Sequence, residues 1–303
     1  MYYQPNAPGD WGQIQSTAGI VTATEELTTW DACKLFLRSW KTDSSQVLLI
    51  LHGLGGHSGW YIDMGNVLSS RGITVYAMEH RGFGRSGGRP GHIDDYHTYV
   101  EDICFVVTEI RRRHPGAAIY VLGHSMGGIF AAYFAAKYGS MLTGVLFLNP
   151  WIEDTSSISL LTTLGILLGG IFKSKRYWLL AGGSEAMTTN PEAARMLEAD
   201  SFWRRSETAS FLVQILLMRL GVLGKAKRVT IPALVMQAEA DKSVVVSAAH
   251  KFYQSLASND KTWKTYPNYA HDSEFEQDRL LLDTDVVTWI GTHARAASEL
   301  SSH

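Results

Sequence analysis

From residue 47 onward, short apolar runs alternate with segments long enough to form helices. The apolar runs lie at 47–51, 73–78, 118–122, 145–148, 233–237 and 262–266, and the helical patterns at 59–70, 99–114, 126–138, 244–256 and 278–297. This alternation is typical of an α/β fold, in which crossover helices cover both faces of a mostly parallel sheet. Before it, residues 25–30 and 34–40 alternate apolar and polar side chains around a short break, which predicts an opening antiparallel pair.

Residues 151–227 interrupt the alternation with a helical, strongly apolar pattern that lacks a strand-like run of the earlier kind. We therefore expect residues 1–150 and 228–303 to form the α/β core, with residues 151–227 inserted over the sheet as a helical cap. The chain shows no internal repeat and no low-complexity linker, so the cap is expected to pack on the core rather than to hang from a tether.

Composition and charge exclude several classes of protein. The formal net charge of the 303-residue chain is −2, so nucleic acid is not an expected partner. Two cysteines, Cys33 and Cys104, are too few for a disulfide framework or a thiolate zinc site. The N-terminus has no basic region followed by an apolar stretch, which favours a cytoplasmic location. Residues 155–172 carry no charge, but their dense apolar part is shorter than the ~20 residues that a membrane span needs, which predicts a buried or interfacial segment.

The pattern Gly-x-Ser-x-Gly occurs twice, around Ser86 and around Ser125. A nucleophile elbow needs a strand that enters a sharp turn and a helix that leaves it, so that the hydroxyl stands at the carboxyl edge of the sheet. Ser125 follows the apolar run 118–122 and precedes "IFAAYFAAKY", whereas "GGRPG" follows Ser86 and cannot continue as a helix. The sequence therefore predicts Ser125 as the nucleophile and Ser86 as a loop residue. Side chains at Gly123 or Gly127 are expected to crowd this turn.

A serine hydroxyl needs a base to take its proton and a third group to orient that base. In a fold of this kind the three follow in the order Ser, acid, His. His271 lies in the loop "YPNYAHDSEFE" directly after the last predicted strand, which makes it the predicted base. His124 is expected to point away from the serine, and the other downstream histidines lie in predicted helices or at the end of the chain (His250, His293 and His303).

The predicted acid is Asp241, in the segment "AEADKSVVV" that follows the apolar run 233–237. Asp241 is favoured over Glu239 because it lies farther into the loop at the carboxyl end of the strand. Glu153 and Asp154, after the preceding strand, are the reserve candidates. Asp272 is too close in sequence to His271 to orient it easily.

Acyl transfer builds negative charge on a carbonyl oxygen and needs preorganised donors there. The glycine-rich turn "LHGLGGHSGW" follows the strand at 47–51, in the position of an oxyanion loop. The predicted donors are the backbone N–H groups of Leu54 and Met126. His52 is then expected to organise this loop rather than to bind a metal, and the sequence predicts neither a metal nor a cofactor.

These motifs resemble the serine hydrolases of the α/β-hydrolase fold, and most closely the monoacylglycerol lipase and lysophospholipase group. The resemblance rests on six blocks in order: "WDACKLFLRSW", "LHGLGGHSGWY", "EHRGFGRSGGRPGHIDDYHTYVEDI", "YVLGHSMGGIFAAYFA", "PALVMQAEADKSVV" and "YPNYAHDSEFE". It implies an inserted cap, the triad Ser125, Asp241 and His271, and oxyanion amides at Leu54 and Met126. The chain departs from its relatives at positions outside the triad, with Ala32, Gly56 and Glu79 where Gly, Glu and Asp are usual.

The cap carries more apolar side chains than a small lid needs, and some of them are expected to line a lipophilic tunnel or to face a membrane or micelle. The predicted substrate contacts are Leu160, Leu164, Leu167, Leu168, Ile171 and Trp178. The alternative is that these residues form the packing of the cap itself or a dimer contact. The expected activity is hydrolysis of carboxylic esters of single-chain lipids, such as monoacylglycerols or lysophospholipids. A short-chain carboxylesterase, a thioesterase or an acyltransferase with the same triad stays open.

Overall fold

The computed structural model describes residues 21–155, 160–172, 174–179 and 183–300 of the chain. Within these ranges the strands are β1 (Val21–Thr28), β2 (Lys34–Lys41), β3 (Gln46–Leu51), β4 (Thr74–Met78), β5 (Ala118–His124), β6 (Gly144–Leu148), β7 (Tyr177–Leu179), β8 (Ser206–Thr208), β9 (Ala233–Ala238) and β10 (Lys261–Tyr266). The helices are α1 (Ile62–Ser70), α2 (His97–Arg113), α3 (Met126–Tyr138), α4 (Leu160–Ile171), α5 (Pro191–Ala199), α6 (Ala209–Ala226), α7 (Val246–Ser255) and α8 (Leu280–Leu300).

The main sheet of the described chain has eight strands in the order β1-β2-β4-β3-β5-β6-β9-β10. Strand β2 runs antiparallel to both of its neighbours, and every other pair in this sheet is parallel. The predicted mostly parallel sheet and its opening antiparallel pair are therefore confirmed. Because β3, β5, β6, β9 and β10 point the same way, the loops that follow them meet at one edge of the sheet.

Helices cover both faces of this sheet, which explains why its central strands are apolar throughout. Strands β4, β5, β6 and β9 are buried along almost their whole length. The larger hydrophobic cluster joins one face to α2, α3 and α7, through residues such as Val106, Phe130 and Phe252. The second cluster joins the other face to α1 and α8, through residues such as Leu68 and Ile290. Parallel strands buried on both faces read as continuous apolar runs rather than as an alternation.

The segment between β6 and β9 adds no strand to the main sheet. It contains α4, α5, α6 and a separate antiparallel pair, β7 and β8, in which Tyr177 lies opposite Thr208. This small sheet was not expected from the helical pattern, because strands of three residues are too short to show an alternation. Helix α6 returns to the core, where Phe211 and Met218 join the larger cluster. The division into core and cap at residues 151 and 227 stays a prediction.

Two apolar segments bear on membrane contact. Among the helices that the structure describes, α6 alone has the length and apolarity to cross a membrane, and 39% of it is buried within the protein. Its buried side chains, such as Phe211, Ile215 and Met218, pack on the core, whereas Leu217 and Leu220 are 47% and 74% exposed. The charge-free stretch 155–172 includes α4, on which Leu164 and Leu168 are 51% and 48% exposed.

Strand β8 carries a buried acid. Glu207 lies opposite Trp178 in the pairing of β7 with β8, and its side chain is fully buried. Neither carboxyl oxygen has a hydrogen-bond partner among the described residues. Burial raises the pKa of Glu207 from 4.5 to about 8, against a smaller lowering by the charge of Arg204. The carboxyl group is therefore protonated in the folded protein at neutral pH, because an isolated buried charge costs more than a neutral acid.

We expect Glu207→Gln to raise the free energy of unfolding, by an amount that grows as the pH rises from 4.5 to about 8. Across this interval the unfolded chain releases a proton that the folded wild type keeps, so the wild type loses stability with rising pH and the amide variant does not. Urea unfolding at a series of pH values measures the difference. Glu185→Gln, at an exposed position, is the matched control. A gain that does not depend on pH would contradict this account.

Candidate active site

The turn between β5 and α3 holds Ser125 in a strained backbone conformation. Its φ and ψ are 52° and −114°, a region that residues other than glycine rarely adopt. Hydrogen bonds fix this geometry: the Ser125 N–H donates to Leu148 O at 2.9 Å, and Ser125 O accepts from the N–H groups of Gly128 and Trp151 at 3.0 and 3.1 Å. The surrounding structure thus determines where the hydroxyl stands.

The flanking glycines are required by space. A Cβ atom at Gly123 would overlap the carbonyl oxygen of Gly127, and a Cβ atom at Gly127 would overlap the carbonyl oxygen of Leu51. Both obstacles are backbone atoms, which cannot rotate away as the end of a side chain can. The predicted crowding therefore arises because α3 begins in direct contact with β3.

Ser125, His271 and Asp241 form a continuous chain of hydrogen bonds. His271 Nε2 lies 2.8 Å from Ser125 Oγ, and His271 Nδ1 lies 2.7 Å from Asp241 Oδ2. The other carboxylate oxygen, Asp241 Oδ1, accepts the backbone N–H groups of Ser243 and Val244 at 2.7 and 3.0 Å. Ser125 and His271 are 6% and 5% exposed. These contacts orient the imidazole with Nδ1–H toward the acid and Nε2 toward the hydroxyl.

Charge and burial act in opposite directions on this pair. Burial alone would lower the pKa of His271, but the charge of Asp241 and its hydrogen bond raise it overall above its ordinary value of 6.5. Burial would raise the pKa of Asp241, but His271 and the backbone donors hold it below its ordinary value. Asp241 therefore stays ionised and stabilises the imidazolium that would form when His271 takes a proton.

The loop after β3 lies against the elbow. A Cβ atom at Gly53 would come within 3.2 Å of Ser125 Cβ, so Gly53 lies directly beside the turn. Met126 is the first residue of α3, and the first N–H groups of a helix have no partner within it. His52 organises this loop: its Nε2 accepts the N–H of His80 at 3.0 Å, and its Nδ1–H donates to Gly53 O at 2.7 Å.

A family profile described as serine aminopeptidase, S33, matches residues 42–278 of the chain. The chain belongs to this family of hydrolases. The monoacylglycerol lipase of Mycolicibacterium smegmatis is 28% identical over 254 residues, which cover 83% of this chain and 90% of that protein. The human monoglyceride lipase is 28% identical over 250 residues, which cover 81% and 82% of the two chains.

Solved structures give the same fold. A soluble variant of monoglyceride lipase from Saccharomyces cerevisiae, crystallised with a substrate analogue, has a TM-score of 0.83 at 19% identity, covering 95% of this chain and 99% of that one. The monoacylglycerol lipase of Paleococcus ferrophilus has a TM-score of 0.78 at 21% identity, covering 86% and 99%. The predicted α/β-hydrolase fold and the enzyme class are therefore confirmed.

The other candidate acids and histidines of this S33 hydrolase lie outside the hydrogen-bond chain. Glu239 and Glu153 are exposed, and Asp154 pairs with Arg219. Asp272 approaches His124 rather than the ring of His271, with 3.6 Å between Asp272 Oδ1 and His124 Nε2. His293 contacts Asp260 from α8, and His250 is exposed on α7. The chain's end, with His303, lies outside the described residues.

Ser86 has a structural role in this hydrolase. Its Oγ accepts the N–H of Phe36 at 2.8 Å and donates to Glu79 O at 2.6 Å. These bonds tie the loop after β4 to β2. The second Gly-x-Ser-x-Gly match therefore lies in a loop, as its following residues predicted.

Sequence reasoning missed Asn149 altogether and left the contacts of His124 unassigned. Asn149 Nδ2 donates to His271 O at 2.6 Å, and His124 Nε2 lies 3.1 Å from the same oxygen. The position of Asn149, directly after β6 at the carboxyl edge of the sheet, is the one signal that pointed to it. The two ring nitrogens of His124 contact His271 O and the hydroxyl of Tyr61.

The predicted cap contacts lie mostly on the surface. Leu164, Leu167 and Leu168 are 51%, 37% and 48% exposed. The side chain of Trp178 is half-buried. Its ring lies against α4, since a Cβ atom added at Gly165 would come within 3.0 Å of it. The side chains of Leu160 and Ile171 lie outside the described part of the chain.

A cleft of about 880 Å³ separates part of the cap segment from the loops of the triad. It is lined by α5 and the turn before it, and by Ala240, Lys242 and Ala270. Ala240 and Lys242 flank Asp241 in sequence, and Ala270 precedes His271. Its volume is in the range of sites that bury a lipid-sized molecule.

One group of possible metal ligands occurs among the described residues: His124, His271 and Asp272, whose ligand atoms lie within 4.8 Å of one another. Their nitrogens already make hydrogen bonds to Ser125, Asp241, Tyr61 and a carbonyl oxygen. His124 Nε2 and His271 Nδ1 carry protons toward acceptors, and the lone pairs of His124 Nδ1 and His271 Nε2 already accept the hydroxyl protons of Tyr61 and Ser125. We therefore assign this group to hydrogen bonding.

We expect Asp241→Asn to lower kcat by about 10³–10⁴-fold, because an amide neither fixes the tautomer of His271 nor stabilises its charged form. Wild-type kcat/KM should rise with pH through the pKa of His271, since the protonated ring cannot accept the serine proton. Asp241 raises that pKa above 6.5, so the rising limb of the variant should move to lower pH. Glu239→Gln, in the same loop, is the control and should change neither quantity. An unmoved limb would contradict the pairing.

Proposed function

We propose that this hydrolase cleaves carboxylic esters of single-chain lipids through an acyl-enzyme on Ser125. The observation that carries the proposal is the hydrogen-bond chain from Ser125 Oγ through His271 to Asp241, at distances of 2.8 and 2.7 Å. A hydroxyl on a strained elbow, bonded to an imidazole that a buried carboxylate orients, is an activated nucleophile.

In this mechanism His271 Nε2 takes the proton of Ser125 as the oxygen attacks the ester carbonyl. The tetrahedral oxyanion accepts hydrogen bonds from the N–H groups of Leu54 and Met126, and Asp241 stabilises the imidazolium. His271 then gives its proton to the leaving alcohol, which departs and leaves the acyl-enzyme. A water molecule, deprotonated by His271, attacks the acyl carbonyl. The second tetrahedral intermediate then breaks its bond to Ser125 Oγ, which takes the proton back from His271 as the fatty acid leaves.

The choice of a lipid ester rests on the relatives and on the cap. The bacterial and human relatives are named for monoacylglycerol and monoglyceride hydrolysis, with coverage of four-fifths or more of this chain. The cap segment offers large apolar side chains, and each methylene of an acyl chain that they remove from water contributes about 0.8 kcal/mol.

Exposed leucines on α4 and the residues after it support contact with a lipid surface. Leu164, Leu168, Phe172 and Leu179 are 51%, 48%, 80% and 81% exposed. Apolar side chains grouped on one surface are favoured at the boundary of headgroups and acyl chains. We propose that this surface rests on a membrane or micelle from which the substrate enters.

Ser125→Ala should abolish both ester hydrolysis and covalent labelling by a fluorophosphonate, since the probe reacts with an activated serine hydroxyl. Ser86→Ala is the matched control: the same residue type in the same sequence pattern, but bonded to Phe36 and Glu79. It should label normally and lose at most about 1 kcal/mol of stability. Labelling that survives in Ser125→Ala would refute the proposed nucleophile.

A substrate panel should place the best kcat/KM on long-chain monoacylglycerol or lysophospholipid rather than on short esters. Chain length is read from a series of p-nitrophenyl esters, with Ser125→Ala as the blank. A maximum at acetate would contradict a lipid substrate and favour the short-chain esterase. Thioester and acyl-acceptor assays distinguish the thioesterase and acyltransferase, and an amino-acid p-nitroanilide tests the peptidase activity in the family's description.

Leu164→Gln combined with Leu168→Gln should weaken binding to phosphatidylcholine vesicles about 30-fold, because two half-exposed leucines lose about 1 kcal/mol each of burial in the lipid. Cosedimentation measures the binding. Leu280→Gln with Leu281→Gln, 58% and 52% exposed on α8, is the matched control. Hydrolysis of a soluble short ester should be unchanged in both variants. Equal loss of vesicle binding in the two pairs would contradict the proposed lipid surface.

A further inference from the structure

The main-chain carbonyl of His271 is held by two buried side chains. Asn149 Nδ2 lies 2.6 Å from this oxygen and His124 Nε2 lies 3.1 Å from it. Asn149 and His124 are 0% and 1% exposed. Both donors belong to residues at the ends of central strands, β6 and β5, so the loop that carries the base is fastened to the rigid part of the sheet.

The contacts of His124 specify one tautomer. A carbonyl oxygen only accepts, so His124 Nε2 must carry the proton that points to His271 O. His124 Nδ1 is then an acceptor, and the hydroxyl of Tyr61 donates to it at 3.0 Å. Burial lowers the pKa of His124 to about 4, which keeps the ring neutral and this arrangement intact at neutral pH.

Two acids face the same imidazole. Glu274 Oε1 lies 3.4 Å from His124 Nδ1, and Asp272 Oδ1 lies 3.6 Å from Nε2. Burial raises the pKa of Asp272 to about 7 and that of Glu274 to about 8. Glu274 is therefore mostly protonated at neutral pH and Asp272 is about half protonated, which limits the negative charge that faces the ring of His124.

Asn149 is fixed on both sides of its amide. Its Oδ1 accepts the N–H of Ala238 at 2.7 Å, and its Nδ2 also lies 2.8 Å from Ser273 Oγ. Its φ of 44° is in the left-handed region, which asparagine tolerates better than most residues. The side chain thus connects the ends of β6 and β9 to the loop of the base.

The position of the His271 carbonyl affects whether the His271 imidazole can hydrogen-bond to Ser125 and Asp241 at the same time. The imidazole of His271 contacts Ser125 Oγ at 2.8 Å and Asp241 Oδ2 at 2.7 Å at the same time. A shift of the ring toward one partner lengthens its hydrogen bond to the other. Displacement of the backbone by even a fraction of an ångström lengthens at least one of them, and a misplacement of about 1 Å costs a reaction on the order of 10²-fold.

We propose that His124 and Asn149 are positioning residues, which act through the main-chain carbonyl of His271 to hold its imidazole in register with both Ser125 and Asp241. This inference rests on the proposed function, because it assigns these residues a task in the reaction of the same triad. Neither residue touches the substrate or the reacting atoms.

The experiment compares His124→Gln with His124→Met, two unbranched side chains of similar length. The glutamine amide can donate to His271 O as Nε2–H does, and the methionine has no donor. Each variant is titrated with a fluorophosphonate, so that kcat is expressed per reactive Ser125. We expect His124→Met to lose about tenfold or more in kcat with KM within about twofold of the wild type, and His124→Gln to recover most of the loss.

The pH profile of kcat/KM distinguishes positioning from a general loss of folded protein. Loosening of the contact between His271 and Asp241 moves the pKa of His271 back toward 6.5, so the rising limb of His124→Met should lie at lower pH than that of the wild type and of His124→Gln. Fewer folded molecules would lower the titrated concentration and leave the limb where it was.

Wild-type kcat per labelled site and an unmoved limb in His124→Met would overturn the proposal. If that variant does not fold, Tyr61→Phe decides, because it removes a single oxygen and the donor that fixes the tautomer of His124. A lower kcat at constant KM supports the proposal, and unchanged kinetics overturn it. Failure of the proposed function is separate: it appears as hydrolysis or labelling that persists in Ser125→Ala.

Discussion

The close approach of α3 to β3 is the constraint on which the site depends. Glycine at 127 lets the first turn of the helix approach the carbonyl oxygen of Leu51 more closely than a Cβ atom would allow, directly after the strained conformation of Ser125. The same approach brings the loop after β3 to within van der Waals distance of the serine. One packing contact therefore sets both the direction of the hydroxyl and the position of the neighbouring backbone donors. The cost of the strained residue is met by hydrogen bonds from β6 and from the residues that follow it.

Burial acts in the same direction on the pKa of each histidine around this turn, and the difference between these histidines comes from their hydrogen-bond partners. It lowers the pKa of His52, His80 and His124, whose hydrogen bonds go to backbone groups and to the hydroxyl of Tyr61. The same burial acts on His271, but the carboxylate of Asp241 overcomes it and raises the pKa. A neutral histidine is a fixed hydrogen-bonding group, whereas a histidine paired with a carboxylate can take up a proton at modest cost. Histidines with a structural role and the histidine proposed as the base therefore lie close together in this structure.

The parts of the site that were predictable depend on local pattern and chain order. Ser125 could be separated from Ser86 because a helix follows one and "GGRPG" follows the other. His271 and Asp241 followed from the order of the triad and from loops at the carboxyl ends of strands, where parallel strands bring distant residues together. The parts that were missed depend on contacts between side chains far apart in sequence. Asn149 reaches a carbonyl 122 residues away, and no periodicity records such a contact.

By itself the sequence determined the α/β fold and the three residues that we propose as a triad, because strand and helix periods, glycine at tight turns and the order of catalytic residues along the chain can be read without the tertiary structure. Only the tertiary structure decided that two buried donors fasten the base to the sheet, that the short strands β7 and β8 pair, and that the leucines of α4 face outward. These features depend on which surfaces meet after folding. The residues next to a position in sequence do not show which groups from other strands and loops will contact it after folding.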